Sequence, residues 1–371
     1  MKYKNICCVT GSRAEYGIFK PLLEKFKHSH DFKLEVIATG SHFSESHGSS
    51  IEEIKRSFDI TREINSFKNS DSKQSKIIEM SDIQSKFADY LRDSKTDLVM
   101  IIGDRYEILP IAISSYMRGI PIAHIHGGEE TKGSLDNGIR HAISHLSELH
   151  FTSTEEYSNR LKRMGIDPEK VINVGALGIE RAYKHKSKTK KEVEKDLKIK
   201  FGLRNIICTI HPPTLENLDI RKLIDNLVLI FDSYEDLKVI FTGANADHGG
   251  IKINSYLEKV VANDDNFYFY KSLGESSFFD VLNIVDLMIG NSSSAILEAP
   301  SFKLPAVNIG SRQDGRILGS NVFNAKPNLN SMRAAIKKGL AFKESNSFKN
   351  FFNPYGNGDA STKIINFLRN S

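Results

Sequence analysis

The sequence predicts an α/β protein of two doubly wound, Rossmann-like domains, and three observations carry that reading. Short, nearly all-apolar runs such as Leu98-Val99-Met100-Ile101-Ile102 and Ile122-Ala123 alternate with helical stretches, as parallel strands buried on both faces require. The runs stop at glycine or small polar residues, for example Gly103-Asp104-Arg105 and His126-Gly127-Gly128-Glu129, and ligands of open parallel sheets sit outside such strand ends. The 371 residues are long for one core, and the strand–helix series runs once to about residue 180 and again beyond it, which fits two domains, 1–180 and 181–358.

In chain order, 5–9 is the first strand, followed by a glycine turn and a helix over 18–26. Strand 33–38 leads into Thr39-Gly40-Ser41-His42, and 60–65 is a third short strand. A helix over 75–92 precedes the two central strands, 97–102 and 121–125, which flank a helix over 106–118. After Asp136, the residues Ile139, Ala142, Ile143, Leu146 and Leu149 recur at helical spacing, leaving Arg140 and His141 elsewhere around the helix. Strand 150–153 follows, then Ser153 and Glu156 spaced as a capping box for a helix ending at Gly165. Strand 171–174 closes the first series. Residues 181–200 are lysine-rich and read as a solvated hinge plus one exposed helix. Strands 206–210, 239–242, 267–270, 287–289 and 306–309 make the second series. Asn353-Pro354-Tyr355-Gly356-Asn357-Gly358 breaks it before a last helix over 360–368, and no internal repeat joins the halves.

The composition narrows the function classes. With 40% hydrophobic and 26% charged residues the chain is an ordinary globular one. Its net charge of +5 is modest and concentrated in 184–200, which fits a small anionic ligand and excludes a nucleic-acid footprint. Three cysteines, two of them adjacent in the first strand, give core packing rather than a disulfide framework. The first apolar run is too short for a signal or a membrane span, so a cytoplasmic protein without a membrane partner is expected.

Candidate chemistry gathers at the strand ends. Arg13, in the turn after the first strand, suits an anion at a helix start. In Gly290-Asn291-Ser292-Ser293-Ser294, small residues expose backbone N–H groups, hydroxyls add donors and a following helix dipole favours phosphate. Glu298 offers an acceptor for ribose hydroxyls. Arg312 and Arg316 can clamp the same anion, and His211 ends a strand facing that side. No Asp-x-Asp pair occurs, so no metal-chelated diphosphate is indicated; no nicotinamide fingerprint occurs either, and no cofactor is expected. In the first half, Asp104, His126, Glu129 and Asp136 bring carboxylates and imidazole together, which points to proton transfer. A zinc hydrolase using His124, His126, His141 and His145 is a rival, although His141-Ala142-Ile143-Ser144-His145 lacks the glutamate of the metalloprotease motif. A glycosyltransferase or a non-catalytic nucleotide-sugar sensor are the others.

Five motifs in order, Thr10-Gly11-Ser12-Arg13-Ala14-Glu15-Tyr16-Gly17, Gly103-Asp104-Arg105, His124-Ile125-His126-Gly127-Gly128-Glu129, Ile139-Arg140-His141 and Gly290-Asn291-Ser292-Ser293-Ser294, resemble the hydrolysing UDP-N-acetylglucosamine 2-epimerases that supply N-acetylmannosamine for sialic acid synthesis. A sister group, acting on UDP-2,4-diacetamido-2,4,6-trideoxyglucose (UDP-N,N'-diacetylbacillosamine) on the path to legionaminic acid, looks the same at this level. The resemblance implies a glycosyltransferase-B-like fold with a cleft between the domains, and the last helix, 359–371, returning to the first. It implies UDP held by the second domain, with Arg13 of the first domain and His211, Asn245, Gly290, Ser292, Ser293, Glu298 and Arg312 on nucleotide-binding positions, and the sugar held by the first domain, at His42, Arg105 and Arg140. Asp104 and Asp136 fall on acid/base positions. In several relatives a catalytic glutamate stands where this chain has His126, so the imidazole of His126, or Glu129, takes that duty here. A UDP-sugar substrate, a UDP product and a homodimer or homotetramer are the partners implied.

Overall fold

The computed structural model describes residues 2–44, 50–68, 72–130, 135–212, 219–244, 249–262, 264–343, 345, 348 and 350–371. The chain divides into two compact units: Met1–Glu180 with Tyr355–Ser371, and Arg181–Pro354.

The first unit is a seven-stranded, wholly parallel sheet of β1 (Asn5–Thr10), β2 (Lys33–Thr39), β3 (Ile60–Ile64), β4 (Leu98–Ile102), β5 (Ile122–Ile125), β6 (Leu149–Thr152) and β7 (Val171–Asn173), in the order β3-β2-β1-β4-β5-β6-β7. The order reverses between β1 and β4, so the carboxyl ends of those two strands flank the switch point where such sheets bind ligands. All five residues of β4 are no more than 2% exposed. Full burial of each such side chain contributes roughly 1.5–3 kcal/mol, so the centre of the sheet is a fixed platform for the loops at its carboxyl edge.

Local chemistry sets the helix starts. The helix Arg13–Lys27 begins five residues earlier than the apolar pattern suggests, because the hydroxyl of Ser12 caps it by accepting from the N–H of Glu15 at 3.3 Å. The helix Glu155–Arg163 is capped by Thr154, whose hydroxyl accepts from the N–H of Tyr157. That displaces the expected Ser153–Glu156 capping box by one residue, and the hydroxyl of Ser153 donates instead to Glu129 Oε1 at 2.8 Å. The terminal helix Ala360–Asn370 buries Ile364, Ile365 and Leu368 in the core shared with Leu22, Leu23 and Phe26, and its Ser361 hydroxyl donates to buried Glu180 at 2.7 Å. Tyr355–Gly358 differ from the sequence boundary: the carbonyl of Tyr355 accepts from Ala176 N–H at 2.8 Å, which fastens this stretch to the first unit.

The second unit is a six-stranded parallel sheet of β8 (Arg204–Thr209), β9 (Leu237–Thr242), β10 (Phe267–Tyr270), β11 (Leu287–Gly290), β12 (Ala306–Ile309) and β13 (Val322–Ala325), in the order β10-β9-β8-β11-β12-β13. Its switch point lies between β8 and β11. Strand β13 escapes the sequence reading because it is four residues long, sits at the sheet edge and is mostly half-exposed, leaving too little apolar alternation to read. The lysine-rich stretch forms the helix Lys190–Leu197 behind a full Thr189–Glu192 capping box, with Val193 alone of its residues buried. Among the described residues no helix is long and apolar enough to cross a membrane.

Among the described residues of the first unit three imidazoles, those of His42, His124 and His150, are buried. Burial holds His42 down to about 4, His124 to about 3 and His150 to about 4, all below the ordinary value. Each must stay neutral in the fold yet charges freely when unfolded. Their contribution to stability is therefore complete above about pH 6.5 and is lost as pH falls through 4 towards 3. Glu15 and Glu107 oppose this: burial raises both carboxyls, helped at Glu15 by the charge of Glu107 and countered at both by Arg105, so their contribution is lost as pH rises through those raised values. The unfolding free energy, measured by denaturant titration across pH, is expected to be greatest near about pH 6.5 and to drop by several kcal/mol by about pH 4.

Candidate active site

At the carboxyl end of β4 the chain turns through Gly103 (φ +79°) and presents half-buried Asp104. The helix Leu135–Leu146 supplies Arg140, which is 5% exposed and reaches back to pair its guanidinium with Asp104 Oδ2. The same guanidinium donates to the carbonyl of Glu129 at 2.7 Å and to Asn137 Oδ1 at 3.2 Å. Arg140 thus ties the β4 end to the loop after β5. Asp136 lies one turn before Arg140 on the same helix face and is exposed.

At the end of β5, His126 takes a left-handed backbone (φ +64°), rare for a residue with a side chain and typical of strained functional turns. Its Nδ1 lies 3.6 Å from Glu129 Oε1, the oxygen that also accepts from the Ser153 hydroxyl. Its Nε2 accepts from the N–H of Leu177 at 3.4 Å. The proton of the neutral ring therefore sits on Nδ1, directed at the Glu129 carboxylate. Gly128 makes the loop possible: at φ +78°, a β-carbon there would stand 2.5 Å from the carbonyl oxygen of Tyr157.

The turn after β1 holds a buried acidic pair. Glu15 Oε2 accepts from Gly11 N–H at 2.9 Å, and Glu107, fully buried, accepts from Arg105 Nε at 2.7 Å. Arg105 remains 42% exposed at the switch point. Arg13 is 71% exposed and pairs with Glu53 at 3.4 Å. His42, expected beside the sugar, is inaccessible: it is 0% exposed, with Nε2 3.0 Å from Thr10 Oγ1 and Nδ1 2.7 Å from Ser50 Oγ, because the short turn after β2 folds it inward.

In the second unit, β11 ends at Gly290 with φ +140°, so close to β8 that a β-carbon would stand 1.9 Å from the Thr209 carbonyl oxygen. Asn291 then clamps the neighbouring strand end: its Oδ1 accepts from His211 N–H at 2.7 Å and its Nδ2 donates to the His211 carbonyl at 2.9 Å. Arg312 Nη1 and Gln313 Nε2 donate to the Asn291 carbonyl at 3.2 and 2.8 Å. His211, Gly290, Ser292, Ser293 and Arg312 are thereby drawn to one strand-end corner at the β8/β11 switch point. The helix after them, Ser294–Leu297, is one turn long, so its dipole adds little, and backbone N–H groups, hydroxyls and Arg312 are what the corner offers an anion. Glu298 closes that turn; its Oε2 is buried with no hydrogen-bond partner among the described residues, and burial raises its carboxyl above the ordinary range. Asn245, with Asp247, lies outside the described residues.

The family model described as UDP-N-acetylglucosamine 2-epimerase matches residues 24–369. The chain belongs to that family. It is an enzyme. It is 37% identical to a Campylobacter jejuni protein named GDP/UDP-N,N'-diacetylbacillosamine 2-epimerase (hydrolyzing), over 94% of this chain and 90% of that one. It is 34% identical to the Escherichia coli polysialic acid biosynthesis protein P7, over 99% and 94%. Among solved structures, the Neisseria meningitidis UDP-GlcNAc 2-epimerase bound to UDP-GlcNAc aligns with TM-score 0.80 at 19% identity, covering 99% of this chain and 100% of that one. The fold of this family member is accordingly glycosyltransferase-B-like.

Sequence reasoning misses the residues that hold the others. Asn291 lies inside the glycine-serine motif but reads there as one more small turn residue, and Glu107, three residues after Asp104, reads as the start of a helix. Ser153 reads as a cap. Among the described residues no group of three or more His, Cys, Asp or Glu is placed to hold a metal, and His124 has its ring nitrogens turned to a carbonyl and a hydroxyl.

Proposed function

We propose that this enzyme, a hydrolysing UDP-sugar 2-epimerase, eliminates UDP from C1 of a 2-acetamido sugar and adds water across the resulting double bond. The observation that carries the reading is the pairing of two acid/base groups at neighbouring strand ends: Asp104 clasped by Arg140 after β4, and His126 with Glu129 and Ser153 after β5. The C2 hydrogen is not next to a carbonyl, so direct exchange of that proton is blocked. If a base takes it while the C1–O electrons leave with UDP, a 2-acetamidoglycal forms. Water then adds its oxygen at C1 and a proton arrives at C2 on the opposite face, releasing a free manno-configured sugar.

Asp104, Asp136 and the His126–Glu129 pair divide these transfers. In the His126–Glu129 pair the Glu129 carboxylate moves the proton, and His126, with its Nδ1–H facing Glu129 Oε1, holds that carboxylate in place. Arg13, His211 and the Gly290–Ser293 corner with Arg312 take the departing diphosphate, and Arg105 stands on the sugar side. Asn245 joins the nucleotide side. The first unit therefore carries the groups for the sugar, with Arg13 for the diphosphate, and the second carries the remaining nucleotide groups.

Glu298 binds the ribose, its buried oxygen being an acceptor without a donor. Glu298→Ala is expected to weaken UDP binding by about tenfold and to abolish a preference for UDP over 2'-deoxy-UDP, as isothermal titration would read, since a lost charged hydrogen bond is worth roughly 1.5–3 kcal/mol.

Identity of 37% to the diacetylbacillosamine enzyme supports UDP-2,4-diacetamido-2,4,6-trideoxyglucose as substrate, on the way to a legionaminic-type acid. The relative named for polysialic acid supports a second reading, UDP-N-acetylglucosamine giving N-acetylmannosamine. Comparing kcat/KM for the two, side by side, tests the choice: a ratio at or below one for the diacetamido sugar transfers the assignment to N-acetylglucosamine. A homodimer or homotetramer is the proposed assembly, which light scattering would measure directly.

A further inference from the structure

His124 lies in β5 with 0% exposure, in a strand whose other members are apolar. A leucine would pack there without a polar group to satisfy, so the imidazole needs a reason. Its Nε2 is 2.7 Å from the carbonyl oxygen of Gly103, the residue before Asp104. Its Nδ1 is 3.1 Å from the hydroxyl oxygen of Ser144, which lies one turn beyond Arg140 and whose single proton can turn either to Nδ1 or to the Arg140 carbonyl oxygen 3.0 Å away. A carbonyl only accepts, so Nε2 carries the proton and Nδ1 receives the Ser144 hydroxyl. The loop carrying His126 closes over this bridge: a β-carbon on Gly127 would stand 3.0 Å from His124 Nδ1 and 3.1 Å from Ser144 Oγ.

We infer that His124 is a positioning residue for the reaction, a neutral bridge that fixes the Asp104 strand end against the helix bearing Asp136 and Arg140. The inference rests on the assignment of Asp104 and Asp136 to proton transfer. It explains why one side chain must donate on one edge and accept on the other, which neither an apolar residue nor a lysine can do. Its titratable neighbours, His150 across the sheet and His126 and His141 beyond, all disfavour a charge on it, as does its burial.

The test uses the full-length chain and its variants His124→Gln, His124→Leu and Ser144→Ala, with kcat and KM for UDP release from the two candidate sugars, melting temperature, and 15N-histidine NMR assigned by difference against His124→Gln. Glutamine places an amide donor near the Nε2 position; leucine does not. A misplacement of reacting groups by about 1 Å costs on the order of 100-fold, so His124→Leu should lose about 30- to 100-fold in kcat with KM within about threefold, Ser144→Ala about tenfold, and His124→Gln less than about fivefold. The NMR spectrum should show the Nε2–H tautomer unchanged between about pH 5 and 9, as expected for a buried imidazole. Equal kcat losses for glutamine and leucine, wild-type kcat in the leucine variant, or an Nδ1–H tautomer would each overturn the inference. Should the leucine variant not fold, wild-type kcat in Ser144→Ala overturns it equally. If the wild type consumes neither sugar, the proposed function fails by itself, and the tautomer still decides whether the bridge exists.

Discussion

Asp104→Asn is expected to lower kcat for UDP release by roughly 100- to 10,000-fold, the range for loss of a positioned acid/base group. UDP affinity should change by less than about threefold, because the proposed nucleotide corner is built on β8 and β11 rather than on β4 and the uniform part of binding is untouched. The structure adds a complication that can be turned to use. Asp104 is the charge partner of Arg140, which is 5% exposed, and stranding a buried guanidinium costs about 3–5 kcal/mol. Part of the loss could therefore be structural. The double variant Asp104→Asn with Arg140→Met removes the stranded charge and should recover much of the melting temperature while leaving turnover low. Recovery of turnover along with stability would remove Asp104 from the chemistry and leave it a structural partner of Arg140.

Gly290→Ala carries the second large effect. A β-carbon there would lie 1.9 Å from the Thr209 carbonyl oxygen, and φ is +140°, so β8 and β11 must part for the variant to fold. These are the strands whose ends hold His211 and Ser292. UDP affinity is expected to fall by more than tenfold, and the second unit to lose about 3 kcal/mol or more, since a strained backbone and a core shift add together. Calorimetry should show this loss in the second unit's unfolding while the first unit's ion pairs keep theirs. A variant with normal melting and normal UDP binding would mean that the corner does not hold the phosphate.

The first unit's central strands were legible because burial on both faces writes a continuous apolar run, as in β4, and because glycine is favoured where the chain turns left-handed, as at Gly103 and Gly128, although His126 does so without it. Edge strand β13 was not, since an edge needs little apolar surface. The candidate acid/base residues were legible as types at strand ends. Their couplings were not. Nothing in the spacing of Asp104 and Arg140, 36 residues apart, announces an ion pair, and Ser153 could be read equally as a cap or as a donor to Glu129. His42 shows the same limit from the other side: a histidine beside glycine and serine suggests a ligand contact, yet one short backbone turn is enough to bury it between Thr10 and Ser50. Sequence reports which groups are available at a strand end; packing decides which of them face outward.

The central claim, elimination followed by hydration, is tested most directly by running the reaction in deuterated water and following the C2 position of the released sugar by NMR and mass spectrometry. The account predicts stoichiometric UDP and a free manno-configured sugar carrying one deuterium at C2, because the proton that leaves and the proton that returns are different. A free sugar that keeps its gluco configuration and its C2 hydrogen, formed by simple hydrolysis at C1, would contradict it.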